Sequence, residues 1–147
     1  MIRPRGGDFV YNEEEFEIMI EDIKICKLLD IKEIVTGILT KNQQIDIERM
    51  KILINIASPI QVVFHMAIDD CSNYHESLQQ LVDLGIKRVL TKGGQFKSAI
   101  DGKESIKQIV KLFPQLTILA GGGITKDNYV ALAEYCHLKE VHGTKIV

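Results

Sequence analysis

The chain has 147 residues, 46% of them hydrophobic and 26% charged, with 18 Lys and Arg against 20 Asp and Glu for a net charge of −2. That length suits one buried core, and the lack of a basic surplus argues against nucleic acid as a partner. No apolar run approaches the roughly 18 residues of a membrane span, and the first residues lack the apolar stretch of a signal peptide, so a soluble cytoplasmic chain is expected.

Met1–Arg5 reads as the end of a strand, with Gly6-Gly7-Asp8 as a tight turn. Asn12 is a good N-cap, Glu13, Glu14 and Glu15 put negative charge in the first turn, and Phe16, Met19, Ile20, Ile23 and Cys26 form one face of a helix ending near Leu29. Glu33–Leu39 is the second strand. Asp46 caps a helix with Met50, Leu53, Ile54 and Ala57 on its apolar stripe, and Pro59 leads into Gln61–Asp70. That central run reads as a strand buried on both faces, yet it carries His65 and Asp69, which period-2 alternation puts on one face.

Leu78, Leu81 and Val82 mark a third helix stopped by Gly85, and Arg88–Thr91 is a fourth strand ending in Lys92-Gly93-Gly94. A helix around Ile106, Ile109, Val110 and Phe113 stops before Pro114. Thr117–Ala120 is a fifth strand, running into Gly121-Gly122-Gly123. Thr125 caps a last helix, and Lys139–Gly143 is the sixth strand. The alternation predicts an α/β fold of about six parallel βα units joined by right-handed crossovers, in one domain spanning 1–147.

Polar residues gather where these strands end, the face that carries chemistry in parallel α/β folds. His65 and Asp69 are candidates for a general base or soft-metal ligand with its orienting carboxylate, or for a hydrogen-bonded interior pair. Arg3 and Arg5 alternate on one face and could clamp a carboxylate or phosphate, or pair with Asp8 or Asp69. Lys92, Gly93, Gly121, Gly122, Gly123 and His142 form a candidate anion site, the glycines serving either as phosphate-binding N–H donors or as tight turns. Cys26, Cys71 and Cys136 are widely spaced without a C-x-x-C pair, so reduced thiols are expected in place of a disulfide framework or zinc knuckle.

The segments 1–11, Val35-Thr36-Gly37-Ile38-Leu39-Thr40, Phe64-His65-Met66-Ala67-Ile68-Asp69, Arg88-Val89-Leu90-Thr91, Ala120-Gly121-Gly122-Gly123-Ile124 and Glu140-Val141-His142-Gly143, in this order and spacing, resemble the CutC copper homeostasis family. The resemblance implies an incomplete TIM (β/α) barrel, with this chain matching the third to eighth strands and lacking the first two βα units and the final helix. It also implies a cytoplasmic or nuclear protein, homo-oligomeric when the full barrel is present, that handles copper as Cu(I). The cysteines proposed as copper ligands in that family lie in the first two strands, so none of the three cysteines here inherits that role and the metal ligands stay unassigned. Met66 stands where the family has Arg, and Lys92 where it has Ser. The alternatives are a barrel enzyme acting on a small anionic or phosphorylated metabolite, and an inactive fragment.

Overall fold

The computed structural model describes residues 1–146. Its elements alternate strictly. They are α1 (Glu13–Leu28), β1 (Glu33–Thr36), α2 (Ile47–Ala57), β2 (Gln61–Phe64), a 3-10 turn (Met66–Asp70), α3 (Tyr74–Asp83), β3 (Arg88–Thr91), α4 (Lys103–Leu112), β4 (Thr117–Gly121), α5 (Tyr129–Cys136) and β5 (Glu140–His142).

Local chemistry starts the helices where the sequence suggests. The Asn12 side chain accepts from the Glu15 N–H at 2.9 Å while the Glu15 carboxylate accepts from the Asn12 N–H at 2.9 Å, a complete capping box. Asp46 accepts from the Arg49 N–H at 3.1 Å to open α2. Each helix then buries one stripe: Phe16, Met19 and Ile23 from α1, Met50, Leu53 and Ala57 from α2, Leu78 and Leu81 from α3, Ile106 and Ile109 from α4, Leu132 and Cys136 from α5. Each fully buried Leu, Ile or Met there contributes about 1.5–3 kcal/mol.

All neighbouring strands are parallel, in the order β1-β2-β3-β4-β5. A doubly wound sheet reverses its strand order at a switch point. This one never does, as in the wall of a barrel. The register puts Ile34, Val62, Phe64, Val89, Ile118 and Ala120 on the face that joins the helical core. Val63, Arg88, Leu90, Leu119 and Glu140 lie on the opposite face, the one a barrel encloses. On that face Arg88 of β3 donates to Glu33 of β1 and to Glu140 of β5, its Nε reaching Glu140 at 3.0 Å. Side chains from alternate strands meeting in one layer are the packing pattern of a TIM-barrel interior. The arc is open, five strands without closure among the described residues.

The expected strands differ in three places. Met1–Arg5 is not a strand. It runs alongside β1 with the Ile2 N–H donating to the Val35 carbonyl at 2.8 Å and the Thr36 hydroxyl donating to the Ile2 carbonyl at 3.0 Å, so five strands stand where six were expected. The second strand stops at Thr36 and not at Leu39. The central run leaves the sheet after Phe64 and coils into the 3-10 turn, because the Ala67 N–H donates to the His65 side chain at 3.3 Å and that local bond competes with the ladder. The last helix opens at Asn128, whose side chain accepts from the Thr125 N–H at 2.9 Å, so Thr125 is not the N-cap.

Candidate functional site

The loops after β1 to β5 all open at one end of the sheet, and every candidate lies there. Their surroundings divide them into three groups.

The first group surrounds the end of β1. Phe9 stands between Arg3 and His65, with the Arg3 guanidinium carbon 4.6 Å from its ring centre and the imidazole 4.8 Å away on the other contact. A Cβ at Gly37 would lie 2.8 Å from the imidazole Nδ1, so a glycine is required for the chain after β1 to close over His65. His65 is 3% exposed and Tyr11 4%. Among the described residues three buried side-chain polar atoms have no hydrogen-bond partner, and all three are here or beside it: Arg3 Nε, Tyr11 OH and His65 Nε2. Burial, reinforced by the Arg3 charge, pushes the His65 imidazole down to about 4, so it is neutral at physiological pH. Burial likewise raises the Tyr11 phenol, against the opposing pull of Arg3.

Arg5 sits apart in character. Its guanidinium donates to Glu15 at 2.5 Å, to Asp8 at 2.9 Å and to the Val10 carbonyl at 2.8 Å, so it pins the loop between residues 5 and 12 to the start of α1. Those bonds, Glu15 first, raise its pKa.

The second group centres on Asp69, which the 3-10 turn aims at the loop after β3. Its carboxylate accepts from the Thr91 hydroxyl at 2.5 Å, the Lys92 N–H at 3.0 Å and the Gly94 N–H at 2.8 Å. Thr91 in turn accepts from the Gly93 N–H at 2.9 Å and meets the Tyr74 hydroxyl at 2.8 Å. Burial raises the Asp69 carboxyl while those donors pull it down. Asp69 therefore acts as the hub of the Lys92-Gly93-Gly94 loop, and its hydrogen bonds run to that loop, not to His65. Thr91 and Tyr74, which complete the hub, carry no sequence signal beyond ordinary strand and cap positions.

The third group lines a cavity of about 360 Å³ bounded by Gly122, Gly123, Ile124, Thr125, His142, Gly143, Thr144 and Lys145. Gly122 and Gly123 take φ of 94° and 76°, which a side chain rarely adopts, whereas Gly121 closes β4 in ordinary strand geometry. A Cβ at Gly122 would stand 3.3 Å from the Met66 methyl and 3.6 Å from Lys92 Cβ, so those two side chains form the wall between the second and third groups. Lys145 is the cation here that sequence reasoning missed.

The soft donors do not assemble. Cys26, Cys71 and Cys136 are free thiols on different elements, Cys71 donating to the Ala67 carbonyl and Cys136 to the Lys103 carbonyl. No three His, Cys, Asp or Glu among the described residues are grouped so as to hold a metal ion.

Residues 1–147 match the sequence model of the CutC family. The chain belongs to that family. The family protein CutC of Glaesserella parasuis serovar 5 is 39% identical over 143 residues, covering 97% of this chain and 58% of the relative. That of Pasteurella multocida is 41% identical over 143 residues with the same shares. A crystal structure from Streptococcus agalactiae, named as a candidate copper homeostasis protein CutC, superposes with a TM-score of 0.94 at 39% identity, covering 99% of this chain and 71% of that one. This chain thus spans 58% of the length of the curated CutC relatives it matches. The likeness to the CutC structure agrees with an arc of a TIM-type barrel, and the segment Phe64–Asp69 supplies His65 to the first group and Asp69 to the second, while Ala120–Ile124 supplies glycines to the third. No described helix is long and apolar enough to cross a membrane.

Proposed function

We propose that this protein acts in copper homeostasis in the cytoplasm, handling Cu(I) as cargo. The supporting observation is its membership of the CutC family together with its likeness to the Streptococcus agalactiae structure over nearly the whole chain. Cu(I) prefers thiolate and thioether donors. The described residues do not fit a closed cage of such ligands, since the three thiols are dispersed. Met66 is the soft donor that the fold brings to the mouth, against Gly122. A Cu(I) ion carried by this chain is therefore held by few ligands and is readily passed on. Titration of the purified protein against a chromophoric Cu(I) chelator under reducing conditions tests this. Withdrawal of one Cu(I) per chain, weakened in Met66→Leu, is expected. No withdrawal at any protein concentration overturns the proposal.

A specific observation favours a second reading, a barrel-type protein that binds or transforms a small anionic metabolite. Buried polar atoms without partners collect at the strand ends, where Arg3, Lys92 and Lys145 supply positive charge. Barrel enzymes place their chemistry at this face. Titration with phosphate and with small carboxylates, followed by amide chemical shifts, checks it: saturable shifts at the ends of β1 to β5 support it, and a flat response to every anion overturns it.

A further inference from the structure

We infer that the cavity past the ends of β4 and β5 binds the phosphoryl group of a small phosphomonoester, with Lys145 as its cation and the Gly123 N–H and the Thr125 and Thr144 hydroxyls as donors. This rests on the second reading above and narrows it to one cavity and one ligand class.

The two loops that bound the cavity are fixed against each other. Thr125 and Lys145 pair as an isolated parallel bridge, and the Lys126 N–H donates to the Lys145 carbonyl at 2.9 Å. Asn128 ties the loop after β4 to the start of α5, its side-chain oxygen accepting from the Thr125 N–H at 2.9 Å and its NH2 donating to the Gly123 carbonyl at 3.0 Å. The Gly122 carbonyl accepts from the Ala99 N–H at 2.9 Å. The space of about 360 Å³ between these loops is therefore preformed, and it falls in the range of roughly 300–1,000 Å³ usual for small-ligand sites.

Those bonds leave the rim with donors to spare. The carbonyls of Gly122, Gly123 and Lys145 are all taken within the protein, whereas among the described residues nothing accepts from the N–H of Gly123 or Ile124. Thr125 Oγ1 accepts from the Asp127 N–H at 3.3 Å, so its own proton is free to donate, and the Thr144 hydroxyl has no partner among the described residues. Gly123, Ile124, Thr125, Thr144 and Lys145 all border the one cavity. At Gly123 a φ of 76° and a Cβ that would stand 3.0 Å from Ser98 Cβ exclude a side chain, so the backbone itself faces what binds. Successive backbone N–H groups in such turns form anion-binding concavities.

Charge selects the ligand class. No Asp or Glu borders the cavity, and among the described residues neither Lys145 nor Lys126 is in an ion pair. Asp101 and Asp127 stand on adjoining turns, Asp101 accepting from the Ser98 hydroxyl at 2.8 Å, and neither borders the cavity. A carboxylate would bring two oxygens and one charge. A phosphomonoester brings three strong acceptor oxygens and a charge of about −1.5 to −2 at pH 7, which matches an ammonium group together with several neutral donors from two loops.

The test titrates inorganic phosphate, glycerol phosphate and L-lactate into the full chain and follows the backbone amide shifts. Both phosphates are expected to move Gly123 and Ile124 saturably in the millimolar range, with lactate weaker by about tenfold or more. Lys145 is exposed, so Lys145→Gln should keep the melting temperature while weakening phosphate binding about tenfold, the worth of one charged hydrogen bond. Thr125→Val should weaken it several-fold. Lys139→Gln, at the opposite end of β5, should leave it unchanged. Lactate that binds at Gly123 as tightly as phosphate overturns the ligand class and leaves the anionic reading standing. Saturable shifts confined to the ends of β1 to β3 overturn the choice of cavity and also leave that reading standing. Phosphate binding that Lys145→Gln and Thr125→Val both leave unchanged overturns the assigned residues. Silence toward all three probes overturns this inference and the anionic reading together.

Discussion

The Ala67 backbone N–H donates to Nδ1 of His65, and this one bond both ends β2 and fixes which imidazole nitrogen carries the proton. It has a measurable consequence for stability. Burial and Arg3 lower the His65 pKa from 6.5 to about 4. Between those values the unfolded chain binds a proton that the native state refuses, so stability is full above about pH 6.5 and falls as pH drops toward 4. The unfolding free energy of the wild type minus that of His65→Gln, measured by urea titration, should fall by about 3 kcal/mol from pH 7.5 to pH 4. A difference that is flat with pH would show the imidazole to be solvated.

Asp69 predicts a different kind of loss. It is 1% exposed and accepts from the Thr91 hydroxyl and from the Lys92 and Gly94 N–H groups. Asp69→Ala leaves three buried donors without an acceptor, at a cost of about 3–5 kcal/mol. Asp69→Asn keeps one oxygen but turns an NH2 toward backbone donors, so it should recover only part of that loss. Hydrogen exchange at Lys92 and Gly94 should quicken in both variants ahead of the amides of β1. Uniform quickening across the sheet would mean that Asp69 stabilises the core in general and not this loop.

Much of the fold was legible in the sequence because its signals are local. Apolar runs of four or five residues mark strands buried on both faces, and Asn12 and Asp46 each bond the N–H three residues on, which is what marks a helix start. The bend at His65 was hidden, because a run as apolar as Val62–Ile68 reads as strand unless a side chain captures the backbone. The site was legible in part. Gly122, Gly123 and His142 stand at or just past strand ends because strand length decides that, and Arg3 and His65 reach the same end by way of segments that run beside or beyond the sheet. Asp69 and Arg5 also reach that end, but what they bond to depends on loops whose paths follow from tertiary packing. Tyr11 gave no signal, because one aromatic before a helix cap looks like ordinary core.

The Arg88 layer is likewise non-local, with Glu33 and Glu140 lying 55 and 52 residues away in sequence. All three side chains are about a third exposed, which screens the pairs and limits their value. Arg88→Ala leaves two carboxylates on one face of the sheet without their shared cation and should cost about 1–2 kcal/mol in low salt, less at 1 M. Adding Glu33→Gln and Glu140→Gln should return part of the loss, because the repulsion goes with the charges. Strict additivity of the three changes would mean that the layer is not coupled.

Glycines at the mouth separate by what surrounds them, and substitution reads this directly. A Cβ on Gly102 would lie 2.0 Å from the Lys92 carbonyl oxygen, a backbone atom held by the Asp69 hub, and 3.0 Å from the Phe96 ring. Neither the start of α4 nor the loop after β3 can move away without breaking bonds, so Gly102→Ala should cost upward of about 3 kcal/mol, as overpacking against backbone does. A Cβ on Gly121 meets the Leu90 Cδ1 at 2.6 Å, the far end of a side chain on the enclosed face. Leu90 can change rotamer there, so Gly121→Ala should cost about 1 kcal/mol or less. The two variants have the same chemistry and stand at the same end of the sheet. Equal melting temperatures would show that the loop after β3 yields as easily as a leucine side chain, and would remove the reason for treating Asp69 as its anchor.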